Sequence, residues 1–275
     1  MAKKGSLLVV GTGLKAGGQI TTEAKSAIKN ADKVFFAEGN SLIVSQIKSL
    51  NPNAETLLDL YAKGKPRYFT YMEMVERIIT SVREELDVCA VFYGHPGVFV
   101  APSHRAIQLA RSEGYEAQML PGISAEDCIF ADLVIDPARY GCQSYEATDF
   151  IVYRRVFDRR STLVLWQVGV IGQVDYQGKI YDAKKGIDLL VDILLESYPA
   201  DYQAIIYEAA QFGLFSPRIE PVAIAKLGES VLTGISTLVI PPDPSWSIPD
   251  RERAKQLGIE EHVYKSKELK DKSLL

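Results

Sequence analysis

Cysteine and histidine are scarce in this chain, with three of each in 275 residues. Cys89, Cys128 and Cys142 form no C-x-x-C pair, and so odd and sparse a set fits a reducing compartment better than a disulfide framework. With only His95, His104 and His262 to draw on, a histidine-rich metal site is not expected. Long apolar runs are missing as well. Residues 7–10 are apolar, but Gly11 ends them too soon for a signal-peptide core, and no stretch approaches membrane-spanning length. Nor is there an excess of positive charge. A formal net charge of −4 gives no reason to expect a nucleic-acid partner, although it does not exclude a local basic patch. What is left, 47% hydrophobic and 24% charged, is the composition of a soluble globular protein, read here as cytoplasmic with no membrane partner.

A chain of 275 residues favours two domains slightly over one. The first half alternates strand and helix signals. Strands are expected at residues 7–10, 33–37, 88–92 and 116–120, and helices at 20–30, 42–50, 67–85, 103–112 and 125–133. Repeated βα units imply a mainly parallel sheet with helices on both faces. The texture changes after Asp136-Pro137. Residues 145–153, 162–168, 204–208 and 236–240 read as strands, with one strong helix at 187–196, which suggests a mixed sheet. The fold class is therefore α/β in two domains, 1–133 and 134–245. Residues 246–275 are expected to form a polar tail, frayed or disordered.

The most informative stretch is Val91-Phe92-Tyr93-Gly94-His95-Pro96-Gly97-Val98-Phe99-Val100. A β-rich run breaks there into a Gly-Pro-Gly turn, which is where an open α/β sheet presents its backbone to a small ligand. A second break, Leu120-Pro121-Gly122-Ile123-Ser124, follows about one βα unit later, so the two point to one cleft. Gly11-Thr12-Gly13, with Glu38 at the end of the second strand, invites a dinucleotide reading. Ala16 stands where the third glycine belongs, however, and a tight structural turn explains the motif at least as well. Arg67 and Tyr71 share one helix face, with Tyr61 just before them and Tyr93 at the crevice. Such phenols serve equally as packing residues or as acid–base groups beside a guanidinium. His95 reads as a turn or ligand-contact residue rather than a base, because no carboxylate near in sequence orients it. His104 reads as a surface or packing residue, and Asp127 and Asp132 as solvated helix positions.

Taken together, Gly11-Thr12-Gly13, Tyr93-Gly94-His95-Pro96-Gly97 and Leu120-Pro121-Gly122-Ile123-Ser124 resemble the tetrapyrrole methylase superfamily. A narrower likeness runs through both halves. Arg67-x-x-x-Tyr71, residues 91–100, 102–106, 112–115 and 119–128, Phe130-Ala131-Asp132-Leu133, Ile135-Asp136-Pro137, Glu146-Ala147-x-Asp149-Phe150, Trp166-Gln167-Val168 and Ile235-Ser236-Thr237 resemble the borosin peptide backbone α-N-methyltransferases. The resemblance implies S-adenosylmethionine (SAM) as cofactor, bound in a cleft between the two α/β domains, with S-adenosylhomocysteine as product and no metal. It carries SAM contacts to Tyr93, His95, Val98, Ala125, Gln167, Ala209, Ser236 and Thr237. It carries a catalytic cluster to Tyr61, Arg67 and Tyr71, with Tyr93 closing the site. Two departures stand out. The loop between Tyr61 and Arg67 is shorter than the family's usual one, and Tyr68-Phe69 replaces an Arg-Asp pair.

The resemblance also implies iterative N-methylation of backbone amides in a ribosomally made peptide, and a homodimer. Some family members carry the peptide as a C-terminal extension. Because residues 260–275 offer no apolar core peptide, a separate precursor is expected, in a heterotetramer if two precursors bind. The runner-up is a methylase of a small corrin-type ring, and a third possibility is a subunit that binds SAM and peptide without turnover.

Overall fold

Side chains that alternate between two faces of a strand assign each face its own helices, and the first half of the chain follows this rule. The computed structural model describes residues 4–177, 182–243, 245 and 249–260. β1 (Ser6–Gly11), β2 (Lys33–Ala37), β3 (Ala54–Thr56), β4 (Asp87–Phe92) and β5 (Glu116–Met119) pair in parallel in the order β3-β2-β4-β1-β5. On one face lie α1 (Thr22–Asn30) and α2 (Ser41–Leu50), whose Ala24, Ile28, Ile43 and Ile47 bury Val10, Val34, Phe36, Cys89 and Val91. On the other lie α3 (Arg67–Arg83) and α4 (Ala101–Ser112), which bury Leu7, Val9, Phe35, Val88 and Ala90 beneath Met74, Ile78, Val82 and Ala106. Each such buried aliphatic side chain contributes about 1.5–3 kcal/mol.

α5 (Ala125–Asp132) and the single turn α6 (Pro137–Tyr140) lead to the second sheet. There β6 (Cys142–Glu146), β7 (Thr162–Trp166), β8 (Gln203–Glu208), β9 (Arg218–Ala223) and β10 (Thr237–Ile240) lie in the order β6-β7-β10-β8-β9. Only β6 and β7 are parallel, so the sheet is mixed. α7 (Ala147–Val152) and α8 (Lys184–Leu195) cover one face through Phe150, Ile187, Leu190 and Leu194. α5 covers the other, where Ile129 packs on Val164, Trp166, Tyr207 and Val239. Among the described residues no helix is long and apolar enough to cross a membrane.

The α/β class, with a parallel first sheet and a mixed second one, agrees with the sequence; several local expectations do not. Residues 145–153 are not one strand. β6 stops at Glu146, whose carboxylate accepts from the Asp149 amide and caps α7. β7 ends at Trp166 rather than at residue 168, because Gln167 turns left-handed and a 3-10 turn follows at Val168–Val170. β3 and β9 lack a signal strong enough to be read: β3 is three residues long, and β9 is a largely exposed edge strand containing Pro221. Past Pro242 the expected tail contains α9 (Arg251–Gln256), capped by Asp250. The remainder of that tail, 261–275, lies outside the described residues.

Candidate active site

A cavity of about 290 Å³ lies between the two sheets, near the lower end of the usual range for ligand sites. Leu14 and Tyr93 enter it from beyond the carboxyl ends of β1 and β4 and Ala37 from the last position of β2, while Gln167, Ala209 and Ile235 line it from segments flanking strands of the second sheet. The carboxyl edge of a parallel sheet is where ligands bind in open α/β folds.

The two glycine loops are built on each other. Gly13 and Gly94 exchange both main-chain hydrogen bonds, at 3.2 and 3.0 Å. A Cβ on Gly11 would lie 2.1 Å from the Gly94 carbonyl oxygen, so only glycine permits this approach. Gly94 itself is left-handed, at φ +71°. The Gly-Thr-Gly motif is therefore a structural turn, and Glu38 is not a free ribose acceptor. Its buried carboxylate accepts from the Thr12 hydroxyl at 3.0 Å and from the Asn40 amide at 2.8 Å. Burial, the largest influence, raises its pKa, and these hydrogen bonds oppose the rise.

Seven of the eight expected cofactor contacts line the cleft: Tyr93, His95, Val98, Ala125, Gln167, Ala209 and Thr237. Ser236 does not line it. It is fully buried, and its hydroxyl donates to Glu208 at 2.5 Å and accepts from the Thr233 amide. His95 Nδ1 accepts from the Gly97 amide at 2.9 Å, which uses that nitrogen to shape the turn. His104, expected to be a surface or packing residue, donates from Nε2 to the Gly97 carbonyl at 2.9 Å. Asp127 is not simply solvated: it forms a reciprocal capping box with Ser124 at the cleft end of α5. Asp132 accepts from the Tyr207 hydroxyl at 2.6 Å, and Tyr207 lines the cleft.

The cleft also recruits residues that the motifs did not identify as contacts, notably Phe99, Trp166 and Tyr207. The Phe99 and Trp166 rings lie 5.6 Å apart. Phe99 and Gln167 hold φ values of 56° and 60°, a backbone strain of about 1–3 kcal/mol each. Both strained residues face the cavity. Among the described residues its wall carries no Lys, Arg, Asp or Glu. A phosphate-bearing dinucleotide would find no cation there, whereas an adenosine without phosphate suits an apolar wall with Tyr93, Gln167 and Thr237 as polar points. The residues present thus fit SAM.

Three of the four expected catalytic residues form one cluster beside the cleft. Tyr61 is pushed above the ordinary tyrosine range by burial first, then by the neighbouring Tyr71 hydroxyl, while Arg67 pulls the other way. Arg67 Nη1 donates to the Gln173 carbonyl at 2.6 Å. Tyr61 and Tyr71 pack on the same core as Ala37 and Val100, and those two also line the cavity. Tyr93 stands apart from this trio, in the cleft wall. Its pKa is raised by burial first, then by Glu38 and Cys128.

A family model described as Tetrapyrrole (Corrin/Porphyrin) Methylases matches residues 6–211. The chain is 46% identical over 244 residues to the methyltransferase/ribosomally synthesized cyclic peptide dendrothelin A precursor of Dendrothele bispora, covering 87% of this chain and 58% of that protein. It is 41% identical over 265 residues to a methyltransferase/ribosomally synthesized type I borosin cyclic peptide precursor of Coprinopsis marcescibilis, covering 94% of this chain and 68% of that one. The uroporphyrin-III-C-methyltransferase of Thermus thermophilus superposes with a TM-score of 0.61 at 17% identity, covering 87% of this chain and 93% of its own, a likeness of fold. The chain spans about 60% of the length of the first peptide-precursor relatives it matches. With its two-sheet cleft and both sets of relatives, this chain belongs to the tetrapyrrole methylase family and, within it, to the borosin methyltransferases.

Proposed function

We propose that this protein transfers methyl groups from SAM to backbone amide nitrogens of a ribosomally made peptide. The observation that carries the reading is the Tyr61–Arg67–Tyr71 cluster packed beside an uncharged, apolar cleft. A ring-carbon methylase has no evident use for two coupled phenols and a guanidinium.

When bound, SAM supplies a methyl carbon already activated by its sulfonium, and becomes S-adenosylhomocysteine as the nitrogen takes that carbon. The protein's share of the work is the amide, whose nitrogen lone pair is delocalised into the planar peptide bond. Tyr71 is the group assigned to remove the N–H proton. Tyr61, held protonated by burial, is suited to donate rather than to accept. The guanidinium of Arg67 stabilises charge that grows on the amide oxygen as the proton leaves, as an oxyanion hole does. Tyr93 and Gln167, which line the cavity from its two sides, would hold and orient the methyl donor.

Transfer of a tritiated methyl group tests the reading. Label recovered in added peptide supports a separate precursor, and label in the protein's own chain supports one that is continuous with it. Label recovered only in an added tetrapyrrole would overturn the peptide assignment in favour of a ring methylase.

A further inference from the structure

The catalytic cluster is completed by a segment of the other half of the chain. Main chain at Gly64–Arg67 lies antiparallel to Gln173–Tyr176 and is clasped to it. Gly64 N donates to the Tyr176 carbonyl at 2.9 Å, Tyr176 N to the Lys65 carbonyl at 3.1 Å, and Arg67 N to the Val174 carbonyl at 3.2 Å. Pro66 and Asp175 pair at the centre. These bonds hold the Tyr176 ring over Tyr61, with centroids 4.8 Å apart and planes tilted by 42°. No motif of the sequence singled out Tyr176.

We propose that Tyr176 is a positioning residue for Tyr61: its ring, fixed by the clasp, shields the Tyr61 phenol from water and sets its orientation toward Tyr71. This rests on the reading of Tyr61, Arg67 and Tyr71 as the catalytic cluster. Three observations lead to it. The ring contact is direct, and within aromatic stacking range. The backbone that carries Tyr176 is tied to the loop between Tyr61 and Arg67 at Gly64, Lys65 and Arg67, so ring and loop are held together. Burial is the largest influence on Tyr61, and burial is what a covering ring supplies. The shielding belongs to the ring and not to its hydroxyl, so phenylalanine should replace tyrosine here while alanine should not.

The test compares Tyr176→Phe and Tyr176→Ala in the full chain, by two readouts. In the first, tyrosines labelled at the ζ carbon are titrated by NMR, with the Tyr61 resonance assigned by its loss in Tyr61→Phe. In wild type and Tyr176→Phe, Tyr61 should stay protonated well above the ordinary tyrosine pKa of about 10, and in Tyr176→Ala it should titrate closer to that value. The second readout is the single-turnover methylation rate at saturating SAM. It should fall about 10²-fold in Tyr176→Ala and hold within about threefold in Tyr176→Phe, with SAM affinity unchanged in both, because a small misplacement is costly only at the reacting groups. If Tyr176→Ala does not fold, Tyr176→Leu fills the space without a ring and carries the same expectation. An unmoved Tyr61 titration in the ringless variant overturns the proposal whether or not the protein turns over. A wild type that transfers no methyl group overturns the functional reading, while the NMR readout still decides the role of Tyr176.

Discussion

The Arg67 guanidinium reaches across from α3 to donate to the Gln173 main-chain carbonyl at 2.6 Å. A side chain of the first half is thus held by backbone of the second. Arg67→Ala should therefore lower the methylation rate by about 10²–10³-fold, the usual cost of losing one oxyanion donor. SAM affinity, measured by calorimetry, should not change. A parallel loss of SAM binding would move Arg67 from chemistry to cofactor binding.

The contact between the glycine loops sets a stability prediction. At Gly11 a methyl group would meet the Gly94 carbonyl at 2.1 Å, and backbone cannot swing aside as a side chain can. Gly11→Ala should lose about 3 kcal/mol or more, at the upper end of overpacking costs. Gly18, with open space around it, should tolerate alanine within about 0.5 kcal/mol. Urea unfolding of the two variants checks the pair, and equal losses would refute the account of the turn.

Glu38 supplies a pH dependence. Its pKa in the folded protein is raised, chiefly by burial, so the native state binds its proton more tightly than the unfolded chain does. The stability this gives is fully present below the unfolded value and is lost as the pH rises through the folded one. Glu38→Gln removes the titration while keeping an acceptor for the Asn40 amide. The melting temperature of Glu38→Gln relative to wild type should therefore rise between pH 4 and pH 8. Parallel melting curves across that range would show that Glu38 carries no such penalty.

Much of the first sheet is legible in the sequence because its strands are short apolar runs separated by helices of clear period. The second half is harder to read. At residues 145–153 an apolar and aromatic run looks like strand, and the decisive signal is polar: Glu146 caps a helix through the Asp149 amide. β9 hides because an edge strand need not be apolar. Seven of the eight expected contacts line the cleft, whereas Phe99 and Trp166 are not among them, and the left-handed backbone of Phe99 and Gln167 at that wall is not legible in the sequence. Tyr176 is invisible for a related reason. Its partner Tyr61 is remote in sequence, and a main-chain clasp that no motif signals brings the two together.

The three thiols should be unreactive in the folded protein. Burial pushes Cys89 up to about 12 and, with a smaller contribution from Glu126, Cys142 up to about 11. Cys128 is raised as well, again chiefly by burial. Because the thiolate is the nucleophile, iodoacetamide at pH 8 should label native protein slowly and denatured protein at all three sites, as counted by mass spectrometry. Rapid native labelling of Cys89 would contradict the packing of β4.

The central claim is that the methyl group lands on a backbone nitrogen, and tandem mass spectrometry of the methylated peptide tests it most directly. Fragmentation should place successive increments of one CH₂ on amide nitrogens of the main chain, with none in Tyr71→Phe. Increments confined to side chains or to a peptide terminus would contradict the account.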